Sequence, residues 1–407
     1  MTLLNRDPVE RALTWATVTS SLAKGLLFGV SALFFTRVIG LSAGTVGLGL
    51  TIAGGVGLAA SFGSGYLADR VGAKRVLLGT TILQGAALGA YCMARSVVAF
   101  VLVACVAVGA EAAQRTARTT LLARQFTGAD RVQVRARLRV ATNVFIGVGS
   151  LAAAGALAIG TTRAYATTMV IAAVLVLTAT VQLRRLPEPP RATSASHENT
   201  GTSPLRDRRY LGIAALNGVI TIQFGVLTVG MPLWVTGHTH APAATVALLL
   251  VINTAFVALL QVRAARLVHD IRTAGRVVFT ATGALVLACI GYAAAAYGNA
   301  MVAAVLLVAG VLAHSSGEIL SEAGGWELAF ELADPRNAGA YQGVSQTGFA
   351  VGTMLAPAVV TSTAIGHGGP GWLLLAVLFL AAGGGTLLLA RHAVPARPEP
   401  LLPAPVG

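Results

Sequence analysis

The chain has 407 residues, 55% of them hydrophobic and only 11% charged, with a mean hydropathy of +0.75. Soluble domains carry about 25% charged residues, so this composition excludes a soluble globular protein of the same length. The net charge of +14 would suit a nucleic-acid partner, but its distribution along the chain points elsewhere, and no nucleic acid is expected.

Apolar runs fall at 13–36, 44–67, 75–94, 97–119, 139–160, 164–183, 210–235, 242–262, 276–297, 300–322, 338–363 and 370–390. A spanning helix needs roughly 20 apolar residues. In lipid every backbone polar group must be bonded within its own segment, which a helix achieves. The runs therefore predict an all-α integral membrane protein with twelve transmembrane helices. Residues 1–10 carry charge but no cleavable signal pattern, so the first run is expected to stay as a helix. Residues 186–207 contain Pro187, Pro189, Pro190 and a Ser/Thr/Asn-rich run, which predicts a flexible cytoplasmic linker. It separates a first six-helix half, 1–185, from a second, 208–392. Residues 393–407 read as a disordered proline-rich tail. Cys92, Cys105 and Cys289 lie inside apolar runs and read as small packing residues.

With both termini in the cytoplasm, every lysine and arginine falls on that side except Arg37, Arg95, Arg163 and the intramembrane Lys24. The positive charge is then a topology signal. It places the chain as a multi-pass protein of the cytoplasmic, or inner, cell membrane.

The most specific stretch is Gly65-Tyr66-Leu67-Ala68-Asp69-Arg70-Val71-Gly72-Ala73-Lys74-Arg75. A weaker copy spans residues 265–276, where Asp270 matches Asp69 and Arg276 matches Arg75. The offset is close to half of the chain, which reads as an internal duplication. Gly65 and Gly72 allow a tight turn and close helix approach. Arg70, Lys74 and Arg75 anchor the loop at the cytoplasmic face. Asp69 sits at a helix C-terminus, where a carboxylate opposes the helix dipole and needs a partner.

This loop resembles the signature between helices two and three of the major facilitator superfamily. Gly317-Glu318 and Tyr341-Gln342-Gly343 are similar to segments of its bacterial drug-exporter-like members. The resemblance covers nearly the whole chain. It implies two six-helix bundles rocking around a site near the bilayer midplane. It also implies that Asp69 meets the N-terminus of helix eleven beside an arginine, locking the cytoplasmic gate in the outward-open state. That helix is expected to start with Asp334 as N-cap and Pro335 as first residue.

Charged side chains at bilayer depth mark cavities or partners. Lys24 lies in helix one. Glu111, Arg115 and Arg118 lie on helix four. His314, Glu318 and Glu322 lie on helix ten at i, i+4 and i+8, hence on one face. The resemblance implies that helices one, four, seven and ten line the cavity, and helix seven adds Asn217, Thr221 and Gln223. Glu111 and Glu318 are the candidates for proton coupling. Lys24 is read either as the partner of Glu111 or Glu318, or as the contact of an anionic substrate. Arg115 and Arg118 are weighed equally as partners of Asp69 and as substrate contacts. Arg139 is expected to be a positive-inside anchor, and Glu327 and Glu331 to be solvated. Helix five has Gly147, Gly149 and Gly155 but lacks the proline that the family's exporters pair with glycine there. That departure weakens the antiporter inference.

There is no GxxxxGK[ST] loop and no metal-ligand spacing, so no enzyme activity and no cofactor are expected. The expected function is secondary transport by a monomer, by alternating access: proton-driven efflux of a small amphipathic drug or metabolite. The alternatives are proton-coupled uptake of a small anion or nutrient, and a membrane sensor that transports nothing. The expected partners are a small-molecule substrate, protons and the lipid bilayer.

Overall fold

The computed structural model describes residues 7–187 and 201–392. The expected proline-rich tail and most of the expected flexible linker lie outside the described residues. Among the described residues there is no strand. The helices are α1 (Pro8–Leu33), α2 (Ala43–Val71), α3 (Ala73–Ala90), α4 (Val97–Gln125), α5 (Ala129–Ile159) and α6 (Thr162–Arg184). After the linker come α7 (Arg208–His238), α8 (Thr245–Ala265), α9 (Ile271–Ala295), α10 (Ala300–Glu331), α11 (Ala338–Val360) and α12 (Gly366–Arg391).

Local sequence sets most of the helix starts. Asp7, Ser42, Ser96, Thr161, Asp207, Asp270 and Asn299 each stand just before a helix and accept a hydrogen bond from a first-turn amide. Short oxygen-bearing side chains do this because the first amides of a helix have no partner within it. α7 is bent by a π-helical turn at Val226–Gly230.

Among the described residues, ten helical stretches are long and apolar enough to cross a membrane by length and composition. The last of these joins α11 and α12 as Pro335–Arg391, and the path turns within it at Gly368 (φ 61°, ψ −135°). α1, with Thr17, Ser20, Ser21 and Lys24 in its middle, is not among the ten. Large apolar side chains cover the outside, with Leu151 76% and Leu259 70% exposed. Such a surface is stable only against lipid.

Three main clusters fill the interior. One lies wholly in α7–α12, around Trp234, Tyr292 and Trp372. Another lies within the first six helices and the turns that join them, around Phe34, Phe100 and Tyr165. The third joins Leu13, Leu77 and Leu121 to Trp326 and Phe330, so it ties the two groups together. It sits at the end of the bundle that carries residues 65–75, the motif end. The principal contacts between the groups use α2, α4 and α5 on one side and α8, α10 and α11 on the other.

Several helices run past the apolar stretches that announced them. α5 begins at Ala129 rather than near 139, and α10 continues to Glu331. These extensions mix charged and apolar residues, so hydropathy alone ends them early. They also bring charge onto the facing surfaces of the two groups.

Candidate functional site

The motif loop is built around a carboxylate that faces a helix start. Asp69, in the last turn of α2, accepts from the amides of Gly339 (2.7 Å) and Ala340 (2.8 Å) in the first turn of α11. Those amides have no partner within their own helix, and they carry its positive dipole end. Arg124 Nη2 donates to Asp69 Oδ1 at 2.5 Å, closing a three-donor cradle. The arginine is therefore Arg124 at the end of α4, and neither Arg115 nor Arg118. Asp334 caps a single 3-10 turn, Pro335–Asn337, so the α-helix begins at Ala338, three residues later than expected. Asp334 also accepts from the Thr202 amide at 2.9 Å, which pins the end of the linker at this point.

Gly65 is required by closeness. A Cβ there would collide with the Gly339 carbonyl oxygen and would lie 3.0 Å from Gly343 Cα. α2 and α11 thus touch backbone to backbone. Gly72 turns the chain at φ 101°, a conformation that L side chains rarely adopt, and starts α3. Lys74 donates to the Leu186 carbonyl just beyond α6. Arg70 and Arg75 are exposed.

The second copy is arranged differently. Asp270 caps α9, accepting from the Thr273 amide (2.7 Å) and hydroxyl (2.9 Å). That backbone bond holds its carboxyl below the ordinary value of 3.8. Its hydrogen bonds and its ion pair, with His269 at 3.5 Å, stay within its own loop and the first turn of α9.

A second tie at the motif end joins α5 to α10. The Arg135 guanidinium stacks on Trp326 at 4.8 Å and Phe330 at 5.6 Å. Arg131 lies over Phe330 at 5.4 Å and forms an ion pair with Glu331. Glu331 is thus paired and Glu327 is 1% exposed, so the expectation that both are solvated is corrected.

Above these ties lies a cavity of about 250 Å³ between the two groups. Lys24, Glu111, Arg115, Arg118, Arg135, Arg139 and Glu322 line it, together with Ser20, Gln114, Trp326 and Phe349. Lys24 Nζ donates to Glu111 at 2.8 Å. Arg139 lies 3.5 Å from Glu322 and 3.7 Å from Glu318. Glu318 sits behind the cavity wall, where Asn253 of α8 donates to it at 2.9 Å and to Ser315 at 3.0 Å. Asn217, Thr221 and Gln223 of α7 line a small adjoining space that shares Arg135 and Glu322.

His314 is not brought to the cavity. It is buried in the second group with its ring 6.3 Å from that of Tyr292. Arg139 is no surface anchor, because it faces Glu318 and Glu322 of α10. The sequence reading passed over Arg124, Arg131 and Arg135 as functional residues. The signal for α5 was present, since Arg131, Arg135 and Arg139 recur at i, i+4 and i+8, the spacing that singled out α10. No group of three or more His, Cys, Asp or Glu residues among the described residues could hold a metal ion.

Several solved structures share this fold. The crystal structure of the human organic anion transporter MFSD10 (TETRAN) is similar with a TM-score of 0.69 and 14% identity, covering 93% of this chain and 99% of that one. The transporter FucP, in the outward conformation, gives 0.70 at 13% identity, covering 94% and 97%. A bacterial homologue of the iron transporter ferroportin, in an outward-facing state, gives 0.69 at 13%, covering 94% and 98%. At these identities the likeness is one of fold. No curated protein matches the sequence. The family model of the Major Facilitator Superfamily matches residues 13–357, and the chain, with its membrane helices and this fold, belongs to that superfamily of secondary transporters.

Proposed function

We propose that this chain is a proton-coupled symporter of a small organic anion, crossing the cytoplasmic membrane twelve times with both termini inside and working as a monomer. The observation that carries this reading is the charge of the cavity. Five cations, Lys24, Arg115, Arg118, Arg135 and Arg139, face two carboxylates, Glu111 and Glu322. In a poorly hydrated space an unmatched charge is costly, and a ligand of opposite sign removes that cost. A cationic amphipathic drug would meet the reverse. The cavity therefore favours the anion alternative raised by Lys24 over drug efflux, and it gives a sensor without flux no particular support.

Glu318 and Glu322 are the proposed proton sites. They share the single guanidinium of Arg139. A proton on either adds one positive charge beside the cavity, which strengthens the hold on an anion, so both are carried together. Asp69, with Gly65, Arg124 and the start of α11, is the proposed gate. Its contacts close the motif end, so the geometry supports a state open on the opposite side. Two six-helix halves, 1–185 and 208–392, would rock about the cavity.

The test is reconstitution into liposomes with a pH dye in the lumen and an acidic exterior. Adding a small organic anion outside is expected to acidify the lumen, and Glu322→Gln is expected to abolish that acidification. Alkalinisation of the lumen would identify exchange and overturn the symport. A response to organic cations alone would overturn the substrate class.

A further inference from the structure

Resting on the anion reading above, we propose that the substrate carries at least two negative charges on separate groups, as in a small dicarboxylate, and that Arg115 and Arg118 hold one group while Arg135 holds the other. Some of the cavity charges are already matched within the protein. Lys24 is hydrogen-bonded to Glu111 at 2.8 Å. Arg139 serves both Glu318 and Glu322. Arg115, Arg118 and Arg135 form no ion pair among the described residues. Counting Glu318 behind the wall, five cations stand against three carboxylates, and two positive charges remain unmatched. A proton on Glu318 or Glu322 raises the excess by one more. A single negative charge leaves the cavity positive in either state.

Position divides the excess between two places. Arg115 and Arg118 are three residues apart on α4, which puts them on neighbouring rows of one helix face. Arg135 belongs to α5 and is held by its aromatic partners on α10. Its guanidinium carbon lies over the Trp326 and Phe330 rings, while its buried Nη1 has no hydrogen-bond partner. Guanidinium groups bind carboxylates and phosphates through paired, charge-assisted hydrogen bonds. A ligand that reaches both places bridges α4 to the α5–α10 contact. A ligand with one anionic group satisfies only one of them.

The experiment compares matched probes on the purified, full-length transporter in detergent and in liposomes. Butyrate and succinate have the same carbon count and differ by one carboxylate. Tricarballylate adds a third, and choline is the cationic control. Thermal stabilisation is titrated with each, and uptake of labelled succinate and butyrate is measured. Succinate or tricarballylate is expected to act at concentrations roughly tenfold or more below butyrate, the size of one added charge-assisted contact. Arg135→Gln is expected to remove that preference, and Arg135→Lys to restore part of it. Elution as a single folded peak, followed by fluorescence, shows that each variant is intact, and Arg118→Gln provides an independent second variant.

Equal action of butyrate and succinate would overturn this inference and leave the anion reading standing. A response to choline alone, or to none of the anions, would overturn both.

Discussion

The two copies of the signature loop share a sequence pattern but make different contacts. Asp69 lies inside the last turn of α2 and reaches across to α11. Asp270 lies outside its helix, because α8 stops at Ala265, and it caps the next helix of its own group. The facing helix starts differ as well. The first turn of α11 has no acidic residue, whereas that of α5 has Asp130. A second carboxylate at the start of α5 would meet like charge, while Asp69 meets only free amides and Arg124. At the motif end α5 is tied to the second group instead by its Arg131 and Arg135, which meet Trp326, Phe330 and Glu331 of α10. In this molecule the motif carboxylate crosses between the two groups of helices where the helix start opposite carries no acidic residue.

The largest effect is expected from Asp69→Asn. It keeps the shape but removes the charge from three hydrogen bonds and turns an amide donor toward donors. Charge-assisted hydrogen bonds contribute about 1.5–3 kcal/mol each, so transport is expected to fall by roughly tenfold or more in vesicles holding equal amounts of protein. Rates equal to wild type would remove the gating role. Gly65→Val follows. Its side chain has no room against the Gly339 carbonyl, and overpacking of this kind costs about 1–3 kcal/mol. The melting temperature is expected to drop, and a cysteine placed at the motif end to label faster. An unchanged labelling rate would mean that α2 and α11 part without consequence.

How much of this was readable in advance varies with the physics involved. The membrane class, the helix order and the special position of Asp69 follow from local pattern, because hydropathy and turn chemistry are written residue by residue. The identity of the arginine at Asp69 was not readable, since Arg115, Arg118 and Arg124 all lie on α4 and only tertiary packing chooses among them. Arg135 and Arg139 were hidden by the helix boundary. With α5 started near 139 they fell in a loop or at a membrane edge, while the true start at Ala129 turns them into a stripe facing α10. His314 failed for the opposite reason. It shares a helical row with Glu318 and Glu322, but that end of the row is buried in the packing around Tyr292.

An intermediate effect is expected where the second group has its own tie. Trp326→Leu removes the best surface under Arg135, and cation–π contacts are worth about 0.5–2 kcal/mol. A partial loss of transport is expected, smaller than for Asp69→Asn. A double-mutant cycle on Arg131→Gln and Glu331→Gln is expected to give a coupling of about 1 kcal/mol or less in thermal stability, as for partly solvated pairs. A coupling well above that would place more of the closure on α5–α10 than on α2–α11.

The smallest effect is expected at Asp270, which sharpens the comparison from the other side. Asn caps a helix about as well as Asp, so Asp270→Asn is expected to leave both stability and transport near wild type, in contrast to the same change at Asp69. Asp270→Ala loses the cap and is expected to cost about 1 kcal/mol. The sign of its pH dependence follows from the hydrogen bond that holds this carboxyl below 3.8 in the folded chain. A lowered folded value means that the ionised cap contributes fully above the unfolded value and is lost only as the pH falls below it. The difference in melting temperature between wild type and Asp270→Ala is therefore expected to stay constant from neutral pH down to about 4 and to shrink only under stronger acid. A transport defect in Asp270→Asn at neutral pH, with the fold intact, would show that the second loop has a partner across the bundle in another state of the cycle, and the contrast between the two copies would then belong to one conformation alone.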